Sequence, residues 1–478
     1  MEKNYVHVMN GMNIEGRNVV HSGIAKSSTR LEIPIESFQP AESKIDDAGA
    51  LFVLESKGTW VHAGYHLTTS IAGPSLLTLP FALVGLGWGP GILGLIIGAV
   101  VTFYSYCLLS RVLEDSETRG HRYLRFRDLA RDVLGPAWSR LMILPLQLTL
   151  CVGAVIGMVL LGGESIKIIY LQYYPNGSLQ LYHFIIISGA AMFFLSQLPS
   201  FHSLRYMNLI SLITCLGYSI CIVSGAIFTG HSKQAPKRDY SIPYGPASKF
   251  FNVFTSFSLI ATNYGNGIIP EIQATIAPPT SKKMFKGLIM CYMIIVCTYF
   301  PVTISGYWAF GNRASANIFT NFMTIHDVPL IPMWLLILSN VLVIVQVIAI
   351  ALVYSQPVFE IIEGRASDIK YGKYATRNFL PRLLLRTLFV AFSTLVAAML
   401  PFFGDLFAFI GAFFCIPFDF VLPMVFYSKY FKLSTKSFMF WINALIIIVF
   451  TIVGLLGCIS TIRQIVLDAK MYKLFANV

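Results

Sequence analysis

The chain alternates about eleven apolar stretches of membrane-spanning length with short polar connections, at 61–86, 88–112, 138–163, 181–198, 206–229, 250–276, 286–310, 331–356, 382–399, 404–427 and 437–461. The runs are continuous and do not alternate over ten-residue segments, which predicts membrane helices and not an outer-membrane barrel. Two of them are interrupted. The first contains Ser70-Ile71-Ala72-Gly73-Pro74-Ser75-Leu76-Leu77-Thr78-Leu79-Pro80, and the sixth contains Asn263-Tyr264-Gly265-Asn266-Gly267-Ile268-Ile269-Pro270-Glu271. Hydrocarbon offers no partner to a peptide N–H or C=O, so a span opened by Gly and Pro is expected only where the freed groups face protein, water or a solute. Corresponding interruptions in two halves of a chain point to a solute site at the membrane midplane. Five spans followed by five more, each set opening on a broken helix, predict an inverted repeat with one additional C-terminal helix. An odd number of spans per repeat forces the two halves into opposite orientations.

The polar segments complete the layout. Residues 1–57 are expected to form a poorly ordered cytosolic tail, 58–462 the transmembrane domain, and 463–478 a short extracellular tail. Residues 119–134, rich in arginine, read as a short amphipathic helix lying at the membrane interface. The chain is 55% hydrophobic and 12% charged, with a mean hydropathy of +0.67, which excludes an ordinary soluble domain. Its net charge of +12 is explained by topology and not by a nucleic-acid partner. With the N-terminus in the cytosol, 26 of the 35 Lys and Arg residues fall on the inner side and 9 on the outer. Asn176 opens the sequon Asn176-Gly177-Ser178 in a loop that this topology places outside, making it a candidate glycosylation site.

All eight cysteines lie in apolar stretches, where reduced Cys behaves as a small hydrophobe. No disulfide framework, metal-ligand motif, nucleophile triad or cofactor loop stands out, so neither an enzyme nor a metal site is expected.

Several segments resemble the amino acid/auxin permease family and its plant GABA-transporter-like branch: Gly58-Thr59-Trp60, the run from Ala72 to Pro80, the run from Tyr264 to Ile276, Gly306-Tyr307-Trp308-Ala309-Phe310-Gly311-Asn312, and Ile416-Pro417-Phe418-Asp419-Phe420-Val421-Leu422-Pro423. The resemblance extends from about residue 55 to the C-terminus. It implies an all-α membrane protein of LeuT-type fold that imports small amino acids with a proton, without further cofactor, across the plasma membrane; an endomembrane is the alternative location. A broader neutral or basic amino-acid permease, an auxin carrier, a channel and a non-transporting sensor are the competing readings.

A zwitterion leaving water needs partners for both charges. The carboxylate is expected at the first break, on Ile71, Ala72, Gly73, Pro74, Ser75 and Leu76, with free N–H groups around Gly73, Ser75 and Leu76. The ammonium is expected at the second, among the carbonyls of Asn263, Tyr264, Gly265, Asn266 and Gly267, with the Tyr264 ring either facing the cation or packing. An ionisable group at membrane depth is a functional candidate by default. Glu271 is the first choice for proton coupling, its alternative being a structural carboxylate that holds the broken backbone. Asp405, Asp419 and Arg205 are further coupling candidates: Asp405 is expected at the outer mouth of the tenth span, and Asp419, deep in an aromatic run, is expected to pair with a basic residue or lock packing in preference to proton transfer. Glu164 and Lys167 have helical pairing distance, and His62 and His66 share a helix face. Arg205 is expected to anchor topology or stand in for a sodium ion; sodium coupling gives the same electrical driving force as a proton.

Overall fold

The computed structural model describes residues 58–197, 205–232, 237–323, 328–366, 375–400, 402–469 and 475. The helices in chain order are α1 (Trp60–Ile71), α2 (Leu79–Leu86), α3 (Trp88–Thr118), α4 (Phe126–Leu134), α5 (Pro136–Tyr173), α6 (Leu181–Ser196), α7 (Arg205–His231), α8 (Pro246–Tyr264), α9 (Ile269–Ala274), α10 (Lys283–Phe310), α11 (Ile318–Asn321), α12 (Met333–Ala366), α13 (Thr376–Met399), α14 (Phe403–Tyr430) and α15 (Phe438–Ala469). Nine of the described helical stretches, with α1 and α2 taken together, are long and apolar enough to cross a membrane. The other two expected spans are the shorter apolar α6 and the pair α8 and α9.

Each break is dictated locally. The chain leaves α1 at Ala72, and Pro74, which needs no N–H partner, opens a tight turn over Pro74–Thr78 before α2. In the sixth stretch α8 stops at Tyr264 and α9 starts at Ile269, with Gly267 between them at φ +64°, a conformation that costs glycine little. Small residues bring the surrounding helices close. A Cβ on Gly287 of α10 would lie 3.1 Å from the Gly64 nitrogen of α1, and one on Gly98 of α3 would meet the Tyr264 ring at 2.8 Å. Apolar side chains such as Leu141, Phe194, Ile220, Leu388 and Leu445 point outward, as expected of a lipid-facing surface.

Two boundaries differ from expectation. The last helix runs to Ala469, beyond the tail boundary drawn at 463, because its apolar residues continue through Val466 and Leu467. The arginine-rich segment is helical only over α4, since the positive φ of Gly120 ends the preceding turn and Arg125 is extended. The eight cysteines are free thiols.

Candidate functional site

The two breaks meet in the middle of the bundle and are held by a ring of phenols and amides from the surrounding spans. The Tyr299 hydroxyl of α10 lies 2.7 Å from the Ile71 carbonyl and 2.8 Å from the Asn263 carbonyl, so one proton serves an acceptor on each break. Tyr354 of α12 donates to the Ser70 carbonyl at 2.9 Å, and Gln346 donates to that of Ala72 at 2.8 Å. On the other side Tyr106 of α3 donates to the Tyr264 carbonyl at 2.7 Å and lies 3.0 Å from Asp419 Oδ1. The breaks also touch directly, through Asn266 Nδ2 to Ser70 Oγ at 2.5 Å and Asn263 Nδ2 to Thr78 Oγ1 at 3.2 Å. This arrangement satisfies the peptide groups that an opened span would otherwise leave bare in a low-dielectric interior.

Between the breaks lies a cavity of about 40 Å³. Ser70, Ile71, Gly73 and Ser75 line it from the first break, Thr262 and Gly265 from the second, and Leu150, Met158, Ile350, Tyr354, Phe407 and Cys415 close its sides. Not one of its lining residues carries a formal charge. Ala72, Pro74 and Leu76 are buried beside it without lining it, and Asn263, Asn266 and Gly267 hold the second break together. One expectation is corrected. The Gly73 and Leu76 N–H groups are not free: they donate to the Ile71 and Gly73 carbonyls, because the chain turns tightly there. Of the two roles expected for the Tyr264 ring, facing the cation or packing, it packs: it lies against Gly98 and beside Tyr299 and does not line the cavity.

The ionisable candidates separate by position. Glu271 is buried and accepts from the Phe126 N–H at 2.9 Å and from Gln147 Nε2 at 2.8 Å, while its Oε2 has no partner. Gln147 also donates to the Gly267 carbonyl at 3.0 Å, which links Glu271 to the second break. Asp419 pairs with no basic residue in these contacts. It accepts from the Gly267 N–H at 2.9 Å and so fastens the break. Asp405 lies with Glu164, Lys167, Asn317 and Asp468 on the wall of a cavity of about 790 Å³ at the bundle end remote from α4. Glu164 accepts from Asn317 Nδ2 at 2.7 Å. Asn176 is exposed on a turn at that same end, between cavity-lining Pro175 and Gly177. His62 caps α1 by accepting from the Thr59 N–H, and His66 meets Asn208 at 2.7 Å. The Arg205 backbone starts α7; its side chain lies outside the described residues.

The two ends of the bundle are sealed differently. Toward the large cavity an aromatic pair stands between the two, with Phe403 lining the large cavity, Phe407 the small one and their rings 4.6 Å apart. At the α4 end the closure is ionic. Arg125 and Arg127 reach Glu360 of α12 at 2.6 and 3.1 Å, and Arg122 donates to the Ile276 and Ala274 carbonyls at 2.6 and 3.1 Å. Burial draws the Arg122 guanidinium below its ordinary value, and nearby Glu117 opposes that.

The site residues that sequence reasoning missed are Tyr106, Gln147, Tyr299, Gln346 and Tyr354. Their signal was present, since a Gln or Tyr in the middle of an apolar span requires a partner at membrane depth.

The profile of the family described as "Transmembrane amino acid transporter protein" matches residues 56–467. Among curated proteins, the chain is 50% identical over 436 residues to "GABA transporter 1" of Arabidopsis thaliana, covering 91% of this chain and 97% of that one. It is 30% identical over 425 residues to "Lysine histidine transporter-like 1" of the same plant, covering 87% and 90%. Among solved structures, the fold matches MhsT in complex with L-phenylalanine at a TM-score of 0.54 and 8% identity, covering 85% of this chain and 99% of that one. The architecture is that of the LeuT-type transporters.

Proposed function

The chain belongs to the transmembrane amino acid transporter family, and from that premise we propose that it imports GABA or related small amino acids by proton-coupled alternating access. The observation that carries this reading is the small uncharged cavity between two broken spans, in a chain half identical to a protein named GABA transporter 1. A neutral zwitterion suits such a lining: polar groups from the breaks meet its two ends, and no fixed charge is left unpaired when the site empties. A lysine-type cation would need a carboxylate that the cavity wall lacks. This favours GABA or another zwitterion over the broader basic-amino-acid reading that the lysine histidine transporter-like relative suggests.

The cavity, at about 40 Å³, has room for roughly three waters at 10–15 Å³ each and not for the seven heavy atoms of GABA. Substrate therefore requires the site to widen. Its entry is through the large cavity, past Phe403 and Phe407, and its exit is at the α4 end once the arginines release Glu360. The charge distribution, with Asn176 at the large-cavity end, supports placing α4 in the cytosol and the large cavity outside, at the plasma membrane. Protonation of Glu271 weakens its hold on the Phe126 N–H at the start of α4, so a proton taken from outside favours opening inward. A membrane potential of 100 mV contributes about 2.3 kcal/mol per charge, or roughly fiftyfold accumulation of a neutral solute carried with one proton.

The test is uptake of labelled GABA into proteoliposomes with separately imposed proton and sodium gradients, in competition with proline, lysine, histidine and indoleacetate. Concentrative uptake driven by protons and displaced by neutral amino acids supports the reading. Flux that never exceeds equilibrium indicates a channel, and binding without flux a sensor.

A further inference from the structure

A separate cavity of about 330 Å³ lies at the α4 end, against the Arg127–Glu360 pair. Its wall carries four guanidinium groups on three elements: Arg127 and Arg131 from α4, Arg140 from the start of α5 and Arg365 from the end of α12. Only two carboxylates accompany them, and both are engaged. Glu360 holds Arg125 and Arg127, while Asp128 lies 3.5 Å from Arg131 and 3.7 Å from Arg125. Arg140 and Arg365 are exposed and make no ion pair with a described residue. The hollow thus has an excess of two positive charges, and the unspent ones belong to helices that must stay together for this end to remain closed.

The surroundings place the hollow at the level of lipid headgroups. Beside Arg140, the side chains of Trp138, Leu141 and Met142 are 57%, 81% and 44% exposed, an apolar flank suited to acyl chains. On its other side α4 buries Phe126, Leu129 and Ala130, directs Arg127 onto Glu360 and turns Arg131 outward. Guanidinium forks match phosphate oxygens two by two, and a phosphomonoester carries enough charge to balance the excess. The volume falls in the usual range for small-molecule pockets.

We propose that this hollow binds the phosphomonoester headgroup of an anionic lipid, of the phosphorylated-inositol class, and that the bound headgroup bridges α4, α5 and α12 in the closed arrangement. Its occurrence in the inner leaflet rests on the reading that puts α4 in the cytosol, where anionic lipids concentrate. The apolar flank selects a membrane lipid over a soluble phosphate.

The experiment uses the purified full-length protein in detergent, so its outcome does not depend on orientation. Native mass spectrometry and thermal unfolding are followed during titration with phosphatidylinositol 4-phosphate, with phosphatidylcholine and soluble inositol phosphate as parallel arms. The phosphoinositide is expected to bind and raise the unfolding midpoint. Phosphatidylcholine should do neither, and the soluble headgroup should bind at least tenfold more weakly, by roughly the contribution of the acyl contacts. Removing two cations in R140Q/R365Q should weaken lipid binding roughly thirtyfold, and R140K/R365K should recover part of it. Equal binding of lipid and soluble headgroup, or undiminished binding by R140Q/R365Q, overturns the proposal. Should the glutamine variant not fold, the salt dependence of wild-type binding decides: a steep fall supports the site and a flat response overturns it. GABA uptake by the wild type in phosphatidylcholine vesicles tests the transport reading apart from the lipid.

Discussion

With Glu271 as the proposed carrier of the proton, its replacement by Gln should separate movement of substrate from its energisation. The amide is nearly isosteric with the carboxyl, and its oxygen can keep the 2.9 Å bond from Phe126 and the 2.8 Å bond from Gln147. The added NH₂ falls where Oε2 has no partner, so an unpaired buried acceptor becomes an unpaired buried donor, and stability should change by no more than about 1 kcal/mol. The variant is fixed in a neutral form resembling the protonated acid. It should still exchange labelled for unlabelled GABA across a vesicle membrane, because the break and cavity are intact, but lose the proton-linked electrical work. At −100 mV inside, wild-type accumulation of roughly fiftyfold should collapse toward equality, a loss of about 2.3 kcal/mol. The assay is a pair of proteoliposome measurements on one preparation, net uptake under an imposed potential and exchange at zero potential. Undiminished concentrative uptake by the variant would refute the assignment of the proton to Glu271, and loss of exchange together with uptake would show that the residue supports structure instead.

Three further outcomes are expected. Gly73→Val should abolish uptake at normal surface expression, because its Cβ would sit on the cavity wall 3.0 Å from Ile350 Cδ1, a movable side-chain end; uptake at the wild-type rate would remove Gly73 from the substrate's path. Tyr299→Phe leaves the Ile71 and Asn263 carbonyls without their shared donor and should cost about 1–3 kcal/mol, read as a lower thermal midpoint in detergent; an unchanged midpoint would mean that the hydroxyl does not tie the breaks together. Asn176→Gln should remove a glycosidase-sensitive mobility shift from protein made in a eukaryotic secretory pathway, and a wild type lacking that shift would contradict an outward-facing loop.

Much of this architecture is legible in the sequence because a bilayer narrows the options: apolar run length sets the spans, and Gly and Pro among them set where helix gives way. Asn263, Asn266 and Gly267 were locatable for that reason. The partners of the breaks were harder to foresee. Tyr299 and Tyr354 come from spans far along the chain, and an isolated Tyr in an apolar run looks the same whether it packs or donates. Which N–H groups stay free also escapes a sequence reading, since the turn that occupies the Gly73 and Leu76 donors depends on backbone angles. Asp419 illustrates the same limit: buried acids attract basic partners, but here backbone N–H and a phenol serve instead.

Gly58 has one more consequence. Its N–H donates to the Thr275 carbonyl and its own carbonyl accepts from the Ala277 N–H, both at 2.8 Å, so the threshold of α1 is stitched to the chain leaving α9. A Cβ there would lie 2.8 Å from the Thr275 oxygen, which reserves the seam for glycine. Two segments from opposite repeats are thereby yoked, and neither can swing without dragging the other. In the proposed cycle, departure of the solute toward α4 is then a concerted stroke and not the lifting of one flap, so spectroscopic labels at exposed position 60, beside the seam, and at 277 should keep a constant separation throughout.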